Sequence, residues 1–219
     1  MVLLVIHIFF YVQSLFIGEG LAELPVTDKR IVESHRNDAD MIFDQLQGCI
    51  KKDAFYIAYQ GVQKWNPDAR MLAIADLSQG SEKQRFYIID LKKKEVILQT
   101  WVAHGKNSGD NFAIHFSNKD ASHMSSKGFY SIGEEFISPK HGPALLLEGL
   151  EKGLNDKARA REIIIHGADY VSESFIEEHG RCGRSHGCPA LPREEMAKAI
   201  HLLTPGSLLY VHTGGVGTC

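Results

Sequence analysis

EIIIHGADYVSESFIEEHGRCGRSHGCPALP, residues 162–192, is the stretch on which the reading of the whole chain turns. Ile163, Ile164 and Ile165 form a continuous β-branched run, the pattern of a strand buried on both faces, and such a strand delivers His166 and Gly167 to its carboxyl edge. Between 183 and 188 glycines stand where backbone must turn sharply or approach a ligand closely, so amide groups of that turn can face a developing oxyanion. Cys188 is expected exposed in this turn. Residues 192–203 read as a helix with Pro192 in its first turn, which would set Cys188 near a helix start and favour its thiolate. A cysteine and a strand-borne histidine placed in this way are the minimum equipment for acyl transfer through a thioester, so the sequence reads as that of an enzyme.

Working outward, the pattern changes period twice. Ile31, His35, Ala39, Ile42, Phe43, Leu46 and Ile50 recur at helical intervals, and residues 54–65 carry a second apolar stripe before Asn66 and Pro67 break it. From Met71 on, 72–77, 85–91, 95–102 and 111–116 read as strands, with Lys92, Lys93 and Lys94 in a solvated turn. After Gly142 come a short apolar strand, a turn region at 150–161, the strand at Ile163, a helix at 172–179, the cysteine loop, the 193 helix and a last strand at 208–211. The fold class expected is mostly β with flanking helices (α+β): a curved sheet or sandwich with the cysteine loop on its face. The helical segment would cover an open edge of the sheet or serve as a docking element.

Composition suits one catalytic domain. At 219 residues with 44% hydrophobic content the chain can bury a sizeable core, and a net charge of −3 with scattered cations leaves no footprint for nucleic acid. Residues 2–17 are almost wholly apolar and Gly20 and Ala22 offer a cleavage site, so residues 1–22 read as an export signal or an uncleaved membrane anchor, or else as a buried segment. The division that follows is 1–22 leader, 23–70 helical segment and 71–219 catalytic domain. Membrane contact would come only through the anchor. In an oxidising compartment Cys49 and Cys219 are candidates for pairing, and a Cys182–Cys188 disulfide would silence the thiol. His179, Cys182, His186 and Cys188 could in number supply a zinc site, but their spacing fits no standard finger, and neither a metal nor a cofactor is expected.

At these residues the chain resembles the L,D-transpeptidase (YkuD-like) superfamily, whose signature is a histidine followed by Ser/Thr-His-Gly-Cys, here His166 and then Ser185, His186, Gly187 and Cys188. LAIADLSQGSEKQRFYIIDL, VAHGKNSG, FSNKDASHMSSKGFYSIGE, the long segment from KHGPALLLEGL to IIIHGADYVS, and GRSHGCPALP are similar to its second YkuD-type branch, the murein L,D-transpeptidase catalytic domain family. The resemblance implies a YkuD-like curved sandwich. It implies Cys188 as nucleophile, His166 as base, the Gly167 carbonyl as the group that orients the imidazole, and amides of Gly187 and Cys188 as the oxyanion hole. His186 and Ser185 would line the pocket, and Arg184 would be the nearest fixed cation for a substrate carboxylate.

The substrate implied is the stem peptide of peptidoglycan, cut between the diamino acid and D-alanine and rejoined as a 3-3 crosslink by an exported enzyme. The commoner family pattern has an arginine two residues after the cysteine, where this chain has Ala190, so hydrolysis of the same bond is a rival. A non-catalytic wall-binding module is another, and a papain-like protease would reverse the order of cysteine and histidine. His141, next to the apolar run 144–147, reads as a pocket rim or as a surface loop. Ser126 and Tyr130 sit in the 122–130 cluster with His123, a stretch that either touches substrate or is a plain hairpin turn. His166 could itself be a satisfied core histidine, and His104 and His115 are assigned no role.

Overall fold

The computed structural model describes residues 29–46 and 48–214, so the apolar run at 2–17 and Cys219 lie outside the described residues. The chain divides into two units, Met1–Asn37 and Asp38–Cys219. Helix α1 (Lys29–Gln45) begins in the first unit and ends in the second. Among the described residues no helix is long and apolar enough to cross a membrane.

The second unit is built on eight strands: β1 (Met71–Asp76), β2 (Phe86–Asp90), β3 (Glu95–Thr100), β4 (Gly128–Ser138), β5 (Gly142–Gly149), β6 (Ile164–Ala168), β7 (Ala190–Pro192) and β8 (Leu208–His212). They form one mixed sheet in the order β3-β2-β1-β8-β4-β5-β6-β7. Two contacts are parallel, β1 with β8 and β6 with β7; the rest are antiparallel. The sheet curls until its ends nearly meet, because the chain leaving β3 makes a bridge from Ala103 to Ala190 on β7 and a second from Gly105 to Ser185.

Alternation along the strands fills both faces. On one face Leu72, Ile74, Tyr87, Ile89 and Leu208 lie under helix α2 (Lys52–Trp65), which buries Ala54, Phe55, Ala58 and Val62 against them, with Ala39 and Ile42 of α1 in the same cluster. The inner face gathers Ala73, Phe86, Ile88, Tyr130, Leu145, Ile165 and Leu209, and helix α4 (Met196–Leu202) contributes Met196 and Ala199. Helix α2 thus covers a sheet face rather than an open edge, because β1 and β8 are central strands with apolar side chains on both sides.

Three expected elements differ. Residues 111–116 join no ladder; the amides of Ile114 and His115 are both spent on the Ser108 carbonyl, and Phe112 and Ile114 are exposed. The 122–130 stretch is not a hairpin turn, since β4 starts at Gly128 and runs eleven residues with a register shift between Ile132 and Glu135 that breaks its period of two. No helix starts beside Cys188. Strand β7 intervenes, and a 3-10 turn at Arg193–Glu195 leads into α4, so the residues after the cysteine are held by pairing with β6. The helix expected at 172–179 is α3 (Glu173–His179), capped by the Ser172 side chain and closed by Gly180 in the left-handed conformation.

Candidate active site

His166 lies in β6, paired in register with Ala144 on β5 and Ala190 on β7, and only 1% of it is exposed. Its Nδ1 stands 3.0 Å from the Gly167 carbonyl. A carbonyl only accepts, so Nδ1 carries the hydrogen and Nε2 keeps its lone pair. Burial is the main cause that lowers the imidazole pKa to about 4, and the nearby charges of His141, Lys140 and Arg193 add to it. At neutral pH this histidine is uncharged and able to take a proton.

The cysteine loop is fastened from three sides. Ser185 Oγ donates to the Cys188 carbonyl at 2.6 Å and accepts the Gly187 N–H at 3.0 Å, while Ser125 Oγ donates to the Gly187 carbonyl at 3.3 Å. Gly187 has φ +125°, and a Cβ there would stand 2.8 Å from the Met124 carbonyl, so only glycine passes through this gap. Cys188 is not exposed as expected: 9% of it is accessible and it belongs to the inner core. Burial pushes its thiol pKa up, against the opposing effects of the Ile164 amide and the Arg161 and Lys140 charges. The Sγ faces the Glu162 carbonyl at 3.6 Å, and among the described residues no hydrogen bond joins it to His166.

Several other expected roles are altered by the geometry. The Gly187 amide, expected to face an oxyanion, is occupied by Ser185 Oγ. Arg184 is not a free cation, since it pairs with Asp110 at 2.9 Å, as does Arg181 at 3.0 Å. Ser126 and Tyr130 are core residues: the Tyr130 hydroxyl donates to the Ser126 carbonyl at 2.9 Å, and the Ser126 hydroxyl donates to the Ser117 carbonyl. Strand β4 turns Tyr130 inward, where apolar neighbours fill the space. His141 does reach the site, stacking on the His166 ring at 3.8 Å between centroids. Beside it an open groove of about 300 Å³ runs between Glu135, Pro143, Gly167, Arg193 and Met196. His186 is exposed at the rim and stacks on His123 at 4.3 Å.

Cys182 and Cys188 are both free. Cys182 is fully buried in a separate cluster with Val171 and Ala190, its Sγ facing the Ser81 carbonyl at 3.0 Å, and burial raises its pKa to about 11. Among the described residues no three His, Cys, Asp or Glu side chains gather as metal ligands would.

Sequence reasoning missed the supports. Arg85 is wholly buried, donating to the carbonyls of Val102 and Gln79 and to His104 Nδ1 at 2.8 Å. His104 Nε2 then faces the Gly109 carbonyl, which also accepts from Arg184. Arg161, behind the cysteine loop, is the second such support. Neither stands out in sequence, because a buried arginine satisfied by distant carbonyls has no local pattern.

A family profile for the L,D-transpeptidase catalytic domain matches residues 47–212. No curated protein sequence matches. Among solved structures, an L,D-transpeptidase from Mycobacterium smegmatis aligns at 15% identity and a TM-score of 0.41, over 66% of this chain and 59% of that one. One from Mycobacterium tuberculosis aligns at 15% identity and 0.38, over 65% and 57%. The helical cell shape determining protein Pgp2 of Campylobacter jejuni aligns at 16% and 0.43, over 66% and 47%. The match thus spans about half to three fifths of the length of these structures.

Proposed function

Since this chain belongs to the L,D-transpeptidase catalytic domain family, we propose that it acts on peptidoglycan stem peptides with Cys188 as nucleophile and His166 as base. The observation that carries this reading is the orientation of His166. Its Nδ1–H is spent on the Gly167 carbonyl, and the strand that holds it pairs two residues beyond Cys188. Burial keeps the imidazole neutral, as a base must be.

The cycle begins when the thiol turns from the Glu162 carbonyl to His166 and passes its proton to Nε2. Sulfur attacks the carbonyl carbon between the diamino acid and D-alanine, and the Cys188 amide faces the oxyanion. The C–N bond breaks, D-alanine leaves with the proton from the imidazolium, and a thioester remains. The amine of a second stem then attacks the thioester carbon while His166 takes its proton; the C–S bond breaks and a 3-3 crosslink is formed. Such a substrate places the protein outside the cytoplasm, in keeping with a leader at residues 1–22.

One observation favours a second outcome for the thioester. The position two residues past the cysteine is Ala190, fully buried against Val171, so no cation stands there to hold a stem. Water as acceptor would make the chain an L,D-carboxypeptidase. Mass spectrometry of products from disaccharide-tetrapeptide separates the two. Crosslinked dimer lacking one D-alanine, absent with Cys188→Ala, supports transpeptidation, and tripeptide alone supports hydrolysis. Unaltered turnover by Cys188→Ala rules out the cysteine mechanism.

A further inference from the structure

Arg161 ends the turn region ahead of β6 and is half-buried behind the cysteine loop. Its Nη1 donates to the Ser117 carbonyl at 2.9 Å and to Ser126 Oγ; its Nη2 donates to Ser122 Oγ at 3.1 Å and to the Met124 carbonyl at 2.8 Å. All four acceptors are neutral, and among the described residues no carboxylate lies within ion-pair distance of it. The guanidinium also lies near the cysteine loop. A Cβ added to Gly187 would stand 3.3 Å from its Nη2.

Asp120 on the same arm acts on Arg161 but is exposed to water, and a half-buried cation without an ion-paired partner is stabilised when an anion forms near it. The group beside it that can become an anion is the Cys188 thiol, whose field Arg161 shares. We propose that Arg161 is a positioning residue of this site: its guanidinium fastens the 117–126 arm, whose Ser125 hydroxyl donates to the Gly187 carbonyl of the cysteine loop, and places a positive charge with no ion-paired carboxylate behind Cys188 to receive the thiolate. The proposal rests on the reading of Cys188 as nucleophile.

Three ionisable groups act on Cys188 from the surrounding elements: Arg161 from the turn region, Lys140 from the β4–β5 turn and Tyr170 after β6. His166, the proposed base, lies on β6, which pairs with Ala190 two residues past the cysteine. Lys140 is exposed, so water and salt screen its charge. Burial pushes the Tyr170 phenol far up and the His166 imidazole down, so both are neutral between pH 6 and 9. Arg161 is therefore the charge that acts on the thiolate with least screening.

The test is the pH profile of Cys188 alkylation by iodoacetamide in the folded full chain, read at the Cys188 peptide by mass spectrometry so that Cys49 and Cys182 do not contribute. Arg161→Met should move the profile up by about one pH unit, so that alkylation at a given pH below the midpoint is about tenfold slower. Arg161→Lys keeps the charge and should hold the wild-type profile, while its kcat falls because one ammonium cannot reach four acceptors. A folded Arg161→Met with the wild-type profile overturns the proposal. Should that variant lose cooperative unfolding in urea, Arg161→Gln, neutral but still a donor, should show the same upward move, and a wild-type profile there overturns the proposal equally. A folded Arg161→Lys whose profile moves up as far as a neutral variant also overturns it. Alkylation needs no substrate, so a wild-type chain that alkylates normally but leaves tetrapeptide intact counts against the transpeptidase reading and not against Arg161.

Discussion

Burial shifts the protonation of Cys188 and His166, the proposed nucleophile and base, in the same direction, toward the neutral forms. The His166 imidazole is lowered to about 4 and the Cys188 thiol is raised, so the resting site holds a thiol and a neutral imidazole rather than a thiolate and an imidazolium. Alkylation of Cys188 should then climb about tenfold per pH unit from pH 6 to 8, following the thiolate fraction. A flat profile over that range would show a preformed ion pair and refute this account. Ser185 makes a second residue-scale prediction. Its hydroxyl is the hook between the Gly187 amide and the Cys188 carbonyl, and Ser185→Ala frees both. Misplacing the sulfur by a fraction of an ångström should lower kcat about 10- to 100-fold. Ser185→Thr keeps the hydroxyl and should recover most of it; recovery absent with Thr, or no loss with Ala, would mean the hook does not position the thiol.

Between elements, helix α2 comes close to the Phe129 side chain of strand β4 at Gly61. Gly61 lies in α2, and a Cβ there would fall 2.0 Å from the Phe129 ring, which is itself buried and stacked on Tyr210 at 4.4 Å. Alanine gains about 1 kcal/mol of helix propensity over glycine. Forcing the ring pair apart costs about 1–3 kcal/mol. Gly61→Ala should therefore lower the urea midpoint, whereas the same exchange at an open helical position would raise it; a raised midpoint would show that Phe129 yields freely. This packing also bears on what the sequence could reveal. Helix α2 and strands β1, β2, β6 and β8 were legible, because each is an uninterrupted periodic or apolar run that local pattern suffices to identify. Strand β4 was hidden because its register shift moves side chains to the other face midway, and β7 because three residues are too few to show a period. The motif names Cys188 and His166 as the candidate pair by residue type and spacing, and among the described residues no hydrogen bond joins them. Arg161 and Arg85 were not legible, since their partners lie 35 to 44 and 6 to 19 positions away and are mostly carbonyls, which any residue supplies.

Over the whole molecule, the same burial that prepares the site makes the fold sensitive to acid. His104 and His166 are both lowered to about 4, from 6.5 in an open chain, chiefly by desolvation. Above pH 6.5 neither state binds the protons and the two histidines leave stability unchanged. As pH falls from 6.5 toward 4, the unfolded chain takes up protons that the folded one refuses, so stability drops by up to about 1.4 kcal/mol per pH unit for each histidine. Below 4 the folded protein binds them too and the loss stops growing. The Asp90 carboxyl, lowered by its bonds to Lys93, Arg70 and Lys92 although burial opposes them, adds its own loss only below the ordinary carboxylate range, outside this window. Urea unfolding at pH 7, 5.5 and 4.5 should show the decline. His104→Gln separates the two contributions: an amide can still accept from Arg85 and donate to the Gly109 carbonyl, but it does not titrate. His141 and His186 are lowered as well and add to the decline, so that variant should lose at most about half of the wild-type slope between pH 6.5 and 4, whatever its stability at pH 7. An unchanged slope would mean that His104 takes up its proton as readily in the fold as in the open chain, and the Arg85–His104–Gly109 support of the 105–111 loop, drawn with a neutral imidazole, would have to be redrawn.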